Sequence, residues 1–247
     1  MEIHQVHRVD APQARGIVIV IDVIRAFSVA AYALANGARA LWLVREVEEA
    51  FALREREPEA LLAGEVGGRL IPGFDFNNSP ALMAKSEVRG LLLIQRTGAG
   101  TQGAVNAINA THLLLCSLVN ARATAAYARS LAKTTDGVVT LMPTESFSEE
   151  GVQPQEDTIC AEYLEALLRE HPDPAEVLAN GLERLRASGR LGIFERGYPD
   201  FPADDVPAFL AADRFSFAMV GQRERWNEIE YIAVQRVDIP PSSANTP

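Results

Sequence analysis

Cysteine is nearly absent. Cys116 and Cys160 are the only two among 247 residues, which excludes a disulfide scaffold and fits a reducing, cytoplasmic setting. Histidine is almost as scarce, and four of them cannot build a His-rich metal site. Lysine is limited to Lys85 and Lys133, so arginine supplies nearly all of the 23 basic side chains. Set against 33 acidic residues, these leave a net charge of −10, which excludes a surface built as a whole for nucleic acid or anionic lipid, because neutralising phosphates needs a cationic face. Long hydrophobic runs are missing too. Gly16 to Ile21 falls far short of a membrane span, and the N-terminal MEIHQVHRVD carries charge where a signal peptide needs an apolar centre. What is present is a 48% hydrophobic complement on a chain long enough to bury a full core.

The apolar residues come in alternating blocks. GIVIVID (Gly16 to Asp22) is β-branched and apolar on both faces, as a strand covered on both sides must be. AFSVAAYALANG from Ala26 reads as a helix ending at Asn36-Gly37. Strands at Ala40 to Val44, ALLAG, GLLLIQ from Gly90, HLLLCS and Gly137 to Met142 alternate with helices at Glu46 to Glu57, after Gly103 and at Asn120 to Ala132. This order predicts a three-layer α/β/α fold with a largely parallel or mixed sheet. Beyond Met142 a polar loop, PTESFSEEGVQPQ, leads into helices at Glu156 to Arg169 and Ala175 to Ala187, expected as a helical cover with late strands near Phe215 to Val220 and Tyr231 to Val237. Residues 1–239 are expected to form one domain, with 240–247 as a disordered tail.

Parallel sheets place ligands beyond the carboxyl ends of their strands, which singles out Asp22 to Arg25, Gly64-Glu65 with the loop to Pro80, Arg96 to Thr101 and Ser117 to Asn120. GAGTQG (Gly98 to Gly103) matches a dinucleotide-binding turn but lacks the acidic residue about 20 positions on, so a nicotinamide dehydrogenase is an alternative without its confirming feature. Glycines and threonines around a helix start do make an anion cradle. Cys116 and Arg122 have the spacing of thiolate phosphatases, yet Leu118 and Val119 would crowd an anion there, and a buried thiol is the simpler reading. Asp22, Glu65, Asp75 and Asp157 are carboxylates in or beside loops, hard ligands suited to Mg²⁺.

VIDVIRA (from Val20), ALANGA (from Ala33), AGEVGG (from Ala63), GFDFNNSP (from Gly73), GAGT (from Gly98), SLVNA (from Ser117) and EDTICA (from Glu156) occur in an order that resembles the 2-phosphosulfolactate phosphatase family. The resemblance implies a three-layer α/β fold and a Mg²⁺-dependent acid phosphatase that releases phosphate from 2-phospho-3-sulfolactate, a step toward coenzyme M. It implies Mg²⁺ held by Asp22, Glu65 and Asp157, with Asp22, Arg25 and Asp157 in the chemistry. Arg25, Thr97, Gly98, Gly100 and Thr101 would hold phosphate oxygens, while Asp75, Asn78, Ser79, Arg96 and Asn120 would complete the substrate pocket. Where the family has Thr-Asn-Gly-Thr, this chain has Arg96 ahead of the loop and Ala99 within it. It also has Phe76-Asn77 for Leu-Gly and Met142-Pro143-Thr144 for Cys-Ala-Gly. The expected partner is a small anionic phosphorylated substrate, with neither nucleic acid nor membrane and with homo-oligomerisation left open. A non-catalytic anion-binding protein is the remaining alternative.

Overall fold

The computed structural model describes residues 1–144 and 155–240, so most of the expected polar loop and of the tail lies outside the described residues. The first half contains β1 (Glu2–Gln5), β2 (Gly16–Ile21), α1 (Ala26–Ala35), β3 (Ala40–Val44), α2 (Val47–Arg56), β4 (Leu61–Val66), β5 (Arg69–Leu70), α3 (Pro80–Met83), β6 (Leu92–Arg96) and α4 (Gly100–Asn106). It is followed by β7 (Ala110–Cys116), α5 (Ala121–Ala132), β8 (Val138–Pro143), α6 (Glu156–Leu168), α7 (Pro174–Ala187), α8 (Gly192–Glu195), α9 (Asp205–Phe209), β9 (Phe217–Trp226) and β10 (Ile229–Asp238).

The strands form one sheet in the order β1-β8-β2-β7-β9-β10-β3-β6-β4-β5. Pairing is parallel within β1-β8-β2-β7 and within β3-β6-β4. Between these two wings lies the β9-β10 hairpin, antiparallel to β7 on one side and to β3 on the other. Three successive antiparallel pairings therefore make the wings run in opposite directions. The late strands expected within a helical cover are instead the middle of the sheet.

The sheet curls around α1. Every residue from Ala26 to Leu34 is buried, which explains a helix apolar on all sides. Its core joins Val18 and Val20 of one wing to Leu41 and Leu93 of the other. Outside the first wing, Ile19, Leu114 and Leu141 pack against Leu164 of α6 and Leu185 of α7. Outside the second, Leu62 and Ile94 pack against Ala50 and Leu53 of α2. Helix, sheet and helix thus form three layers, as expected. Curling brings the carboxyl ends of oppositely directed wings together: Gln95 Nε2 on β6 donates to Ala26 O at the start of α1, 2.9 Å away. Beside that donor β4 runs unusually close to β6, because Gly64, with φ of +147°, pairs with Arg96 where any Cβ would fall 1.8 Å from Arg96 O.

Candidate active site

A cavity of about 520 Å³ opens where the strand ends meet. Asp22, Glu65, Asn78 and Thr97 line it from the sheet side. Arg190, Ile193, Phe194 and Phe201 close it from the segment after α7.

Asp22 follows directly on β2. Its Oδ1 accepts from Ala26 N–H at 2.9 Å and so opens α1. The other oxygen lies against Gly100, where a Cβ would come within 2.6 Å of Asp22 Oδ2. Only glycine permits that approach. Burial pushes the Asp22 carboxyl up to about 7 despite the Ala26 hydrogen bond, and the charges of Glu156 and Glu65 push in the same direction. Glu65 accepts from Gly98 N–H through Oε1 and from Gly68 N–H through Oε2, both at 2.6 Å.

The glycine loop is indeed an anion cradle, but the anions are the protein's own. Gly98 N–H serves Glu65, and the backbone of Gly100 packs against Asp22. Thr97 and Thr101 satisfy each other, with Thr101 Oγ1 accepting from Thr97 N–H at 2.9 Å and Thr97 Oγ1 from Thr101 N–H at 3.2 Å. This usage differs from the phosphate-holding role expected of these four residues, and it leaves no dinucleotide turn. The following α4 has only seven residues, so the dehydrogenase reading is not supported.

Asp157 does not join the Asp22 and Glu65 carboxylates. Its Oδ1 accepts from Val23 N–H at 2.7 Å, and its Oδ2 from Thr144 N–H at 3.2 Å and from the Thr144 hydroxyl at 3.3 Å. It buckles the ends of β2 and β8 together. Its neighbour Glu156 is 2% exposed and accepts a fork from Arg190 at 3.0 and 2.9 Å. Arg25 lines the cavity, but its Nη1 donates to Asp205 Oδ2 at 2.9 Å and to Asp200 O at 2.7 Å. Its guanidinium carbon lies 4.8 Å from the Phe201 ring centre.

The remaining expected residues divide. Asn78 is buried at the cavity. Ser79 caps α3 and donates to Asp205 Oδ1 at 2.5 Å. Arg96 spends Nε on Arg45 O and Nη1 on Glu65 O, at 3.1 and 3.0 Å, so it braces the loop. Asn120 accepts from Ser117 N–H and donates to Thr124 Oγ1, inside the strand-helix junction. Asp75 faces a separate depression beside α2, accepting from Leu62 N–H at 2.8 Å and pairing with Arg54. Cys116 and Cys160 are free thiols buried in the core outside the first wing, away from the cavity lining. Sequence reasoning missed Arg190, Phe194, Phe201 and Asp205. No motif flags them, and Arg25 meets Asp205 across 180 positions.

The mixed sheet and its cavity at converging strand ends define an α/β protein with a carboxylate-bearing cleft, and sequence comparison supplies the family. The profile of the 2-phosphosulpholactate phosphatase family matches residues 3–186, and the chain belongs to that family. A probable 2-phosphosulfolactate phosphatase of Bacillus subtilis is 36% identical over 189 residues, covering 76% of this chain and 79% of that protein. Its Thermus thermophilus counterpart is 37% identical over 183 residues, covering 66% and 74%. One from Deinococcus radiodurans reaches 44% over 117 residues, covering 47% and 49%. The family is one of phosphatases, hydrolases of phosphoric monoesters.

Proposed function

We propose that the chain is a Mg²⁺-assisted phosphomonoesterase, with 2-phosphosulfolactate, the ester in its relatives' names, as the first substrate to test. The observation that supports this most is the setting of Asp22 and Glu65, two hard carboxylates fixed by loop amides on one cavity wall. Among the described residues no three acidic, histidine or cysteine side chains gather closely enough to enclose an ion. A pair nevertheless fits Mg²⁺, which typically keeps several waters and takes one or two carboxylates plus substrate phosphate oxygens. The like charges that raise the Asp22 proton affinity mark the same spot as one where a cation is stabilised. When bound, the ion supplies neutralisation of a phosphate oxygen and of the departing alkoxide.

The chain's own residues do the rest. Amides of Gly98 and Ala26 orient the two carboxylates, the outer-shell role that tunes a metal site. Arg190, held in the Glu156 fork, adds a fixed guanidinium at the cavity. Phe194 and Phe201 exclude water from one wall. Water is the phosphoryl acceptor in this reading, since Asp22 and Glu65 are assigned to the ion and the Thr97 hydroxyl is engaged with Thr101 N–H. A cytoplasmic location fits the two reduced cysteines, and no described helix is long and apolar enough to cross a membrane.

The test is phosphate release from 2-phosphosulfolactate with Mg²⁺ and with EDTA. Chelation should abolish turnover, and Asp22→Asn should lower kcat/KM by roughly 100-fold or more. Undiminished activity in EDTA would sink the metal role. Binding of inorganic phosphate without turnover of any ester would favour a non-catalytic anion-binding protein.

A further inference from the structure

We propose that Arg190 is the specificity-determining residue of this cavity, the one that binds an acid group, carboxylate or sulfonate, on the alcohol part of the substrate. The inference rests on the phosphomonoesterase reading and assigns the specificity of that site to the segment after α7.

The backbone brings Arg190 to the cavity. Helix α7 ends at Ala187, and Gly189, with φ of +74°, turns the chain away from it. Arg190 N–H donates to Ser188 Oγ at 3.2 Å, and Leu191 is buried in the core outside the first wing. Held on both sides, Arg190 reaches across to the start of α6, where the buried Glu156 takes Nε and Nη2 in the fork. A buried carboxylate needs such a partner, so the plane of the guanidinium is fixed. Its side chain nevertheless stays 49% exposed and lines the cavity. A guanidinium carries more donors than one fork uses, and its planar edges suit a second oxyanion.

Charge singles out the same residue. An ester whose phosphate is neutralised by the ion still brings its own acid group out of water, and that group needs a cation or several donors. The cations among the described lining residues are Arg25 and Arg190. Arg25 is 3% exposed, ion-paired with the buried Asp205 and set against the Phe194 and Phe201 rings, so its donors tie the cavity wall to the sheet. Arg96 is turned to backbone carbonyls. The side chains of Ile193, Phe194 and Phe201, which share the wall with Arg190, have no donor to offer. The charge of Glu156 is felt at Asp22, which sets the fork within electrostatic range of the carboxylate wall where phosphate would lie. Arg190 lies beyond the stretch 3–186 that the family profile matches, so family membership does not by itself assign it this role.

Two measurements test it. The first is calorimetric binding of sulfolactate, the alcohol product, in Mg²⁺, which needs no turnover. Arg190→Gln should raise Kd by roughly tenfold or more, and Arg190→Lys, which keeps the charge without the fork, should restore part of the affinity. Because Arg190→Gln strips the buried Glu156 of its partner, the double variant Arg190→Gln, Glu156→Gln is measured beside it and should show the same loss. The second is kcat/KM for 2-phosphosulfolactate, for 2-phospholactate and for benzyl phosphate, which bears no acid group on its alcohol part. Arg190→Gln should lower the first by about tenfold more than the last, mainly through KM. A loss shared by 2-phospholactate assigns the carboxylate to Arg190, and a loss confined to 2-phosphosulfolactate assigns the sulfonate. An equal loss on all three esters overturns the proposal, as does sulfolactate binding that is absent from the unaltered protein or undiminished in the double variant. If no ester releases phosphate with Mg²⁺ or Mn²⁺, the phosphatase reading falls, and the sulfolactate comparison decides the role of Arg190 by itself.

Discussion

Asp22 is held in place at a cost to the fold. Its folded pKa of about 7 lies above the ordinary 3.8, so the folded state binds this proton more tightly than the unfolded chain does. The stabilisation is fully present below about pH 3.8 and is lost as pH rises to 7, where the ionised carboxylate is buried beside Glu65 and Glu156. In EDTA, Asp22→Asn removes that liability while keeping an oxygen for Ala26 N–H. Its melting temperature should exceed that of the unaltered protein at pH 8, by an amount reflecting a few kcal/mol, and the gap should close toward pH 4. Thermal melts across that range check it, and a gap independent of pH would show that another group carries the effect. The same substitution should make the protein inactive, the exchange of stability for function expected at a site built to take a cation.

At the scale of elements, α6 shows how a correct motif acquires a different task. EDTICA supplies both Glu156 and Asp157, but α6 turns Asp157 toward backbone amides just past the ends of β2 and β8 and leaves Glu156 to Arg190. Asp157→Asn should therefore lower stability by about 1–3 kcal/mol in urea melts, since an amide nitrogen would face N–H donors. The Mg²⁺ concentration giving half-maximal activity should stay the same, whereas a large rise would restore Asp157 to the metal. The ends of β2, α1 and α5 were legible because apolar pattern and helix stops are local signals. The glycine loop was legible as a cradle, but its occupants were not, since Glu65 reaches it across 33 positions. Arg190 and Asp205 carry no local signature at all, because each gains its role only from the carboxylate or guanidinium that folding places opposite.

For the whole molecule, alternating strands and helices disclosed the three layers, but composition does not tell a strand its neighbours. Late strands near Phe215 and Tyr231 read as additions to a cover, yet β9 and β10 carry both wings on their flanks. The hairpin is also made after every other described strand. During synthesis the two wings must wait, each with its inner edge unpaired, for a hairpin that emerges after them. A chain stopped at Asp213 should lack cooperative unfolding and phosphatase activity, and adding residues 214–240 as a separate peptide should recover part of both; a truncated chain that melts cooperatively would show that the wings close without the hairpin. Exposed strand edges are templates for pairing with other chains. The order of elements thus makes the growing chain, before β9 and β10 have emerged, the form most at risk of aggregation.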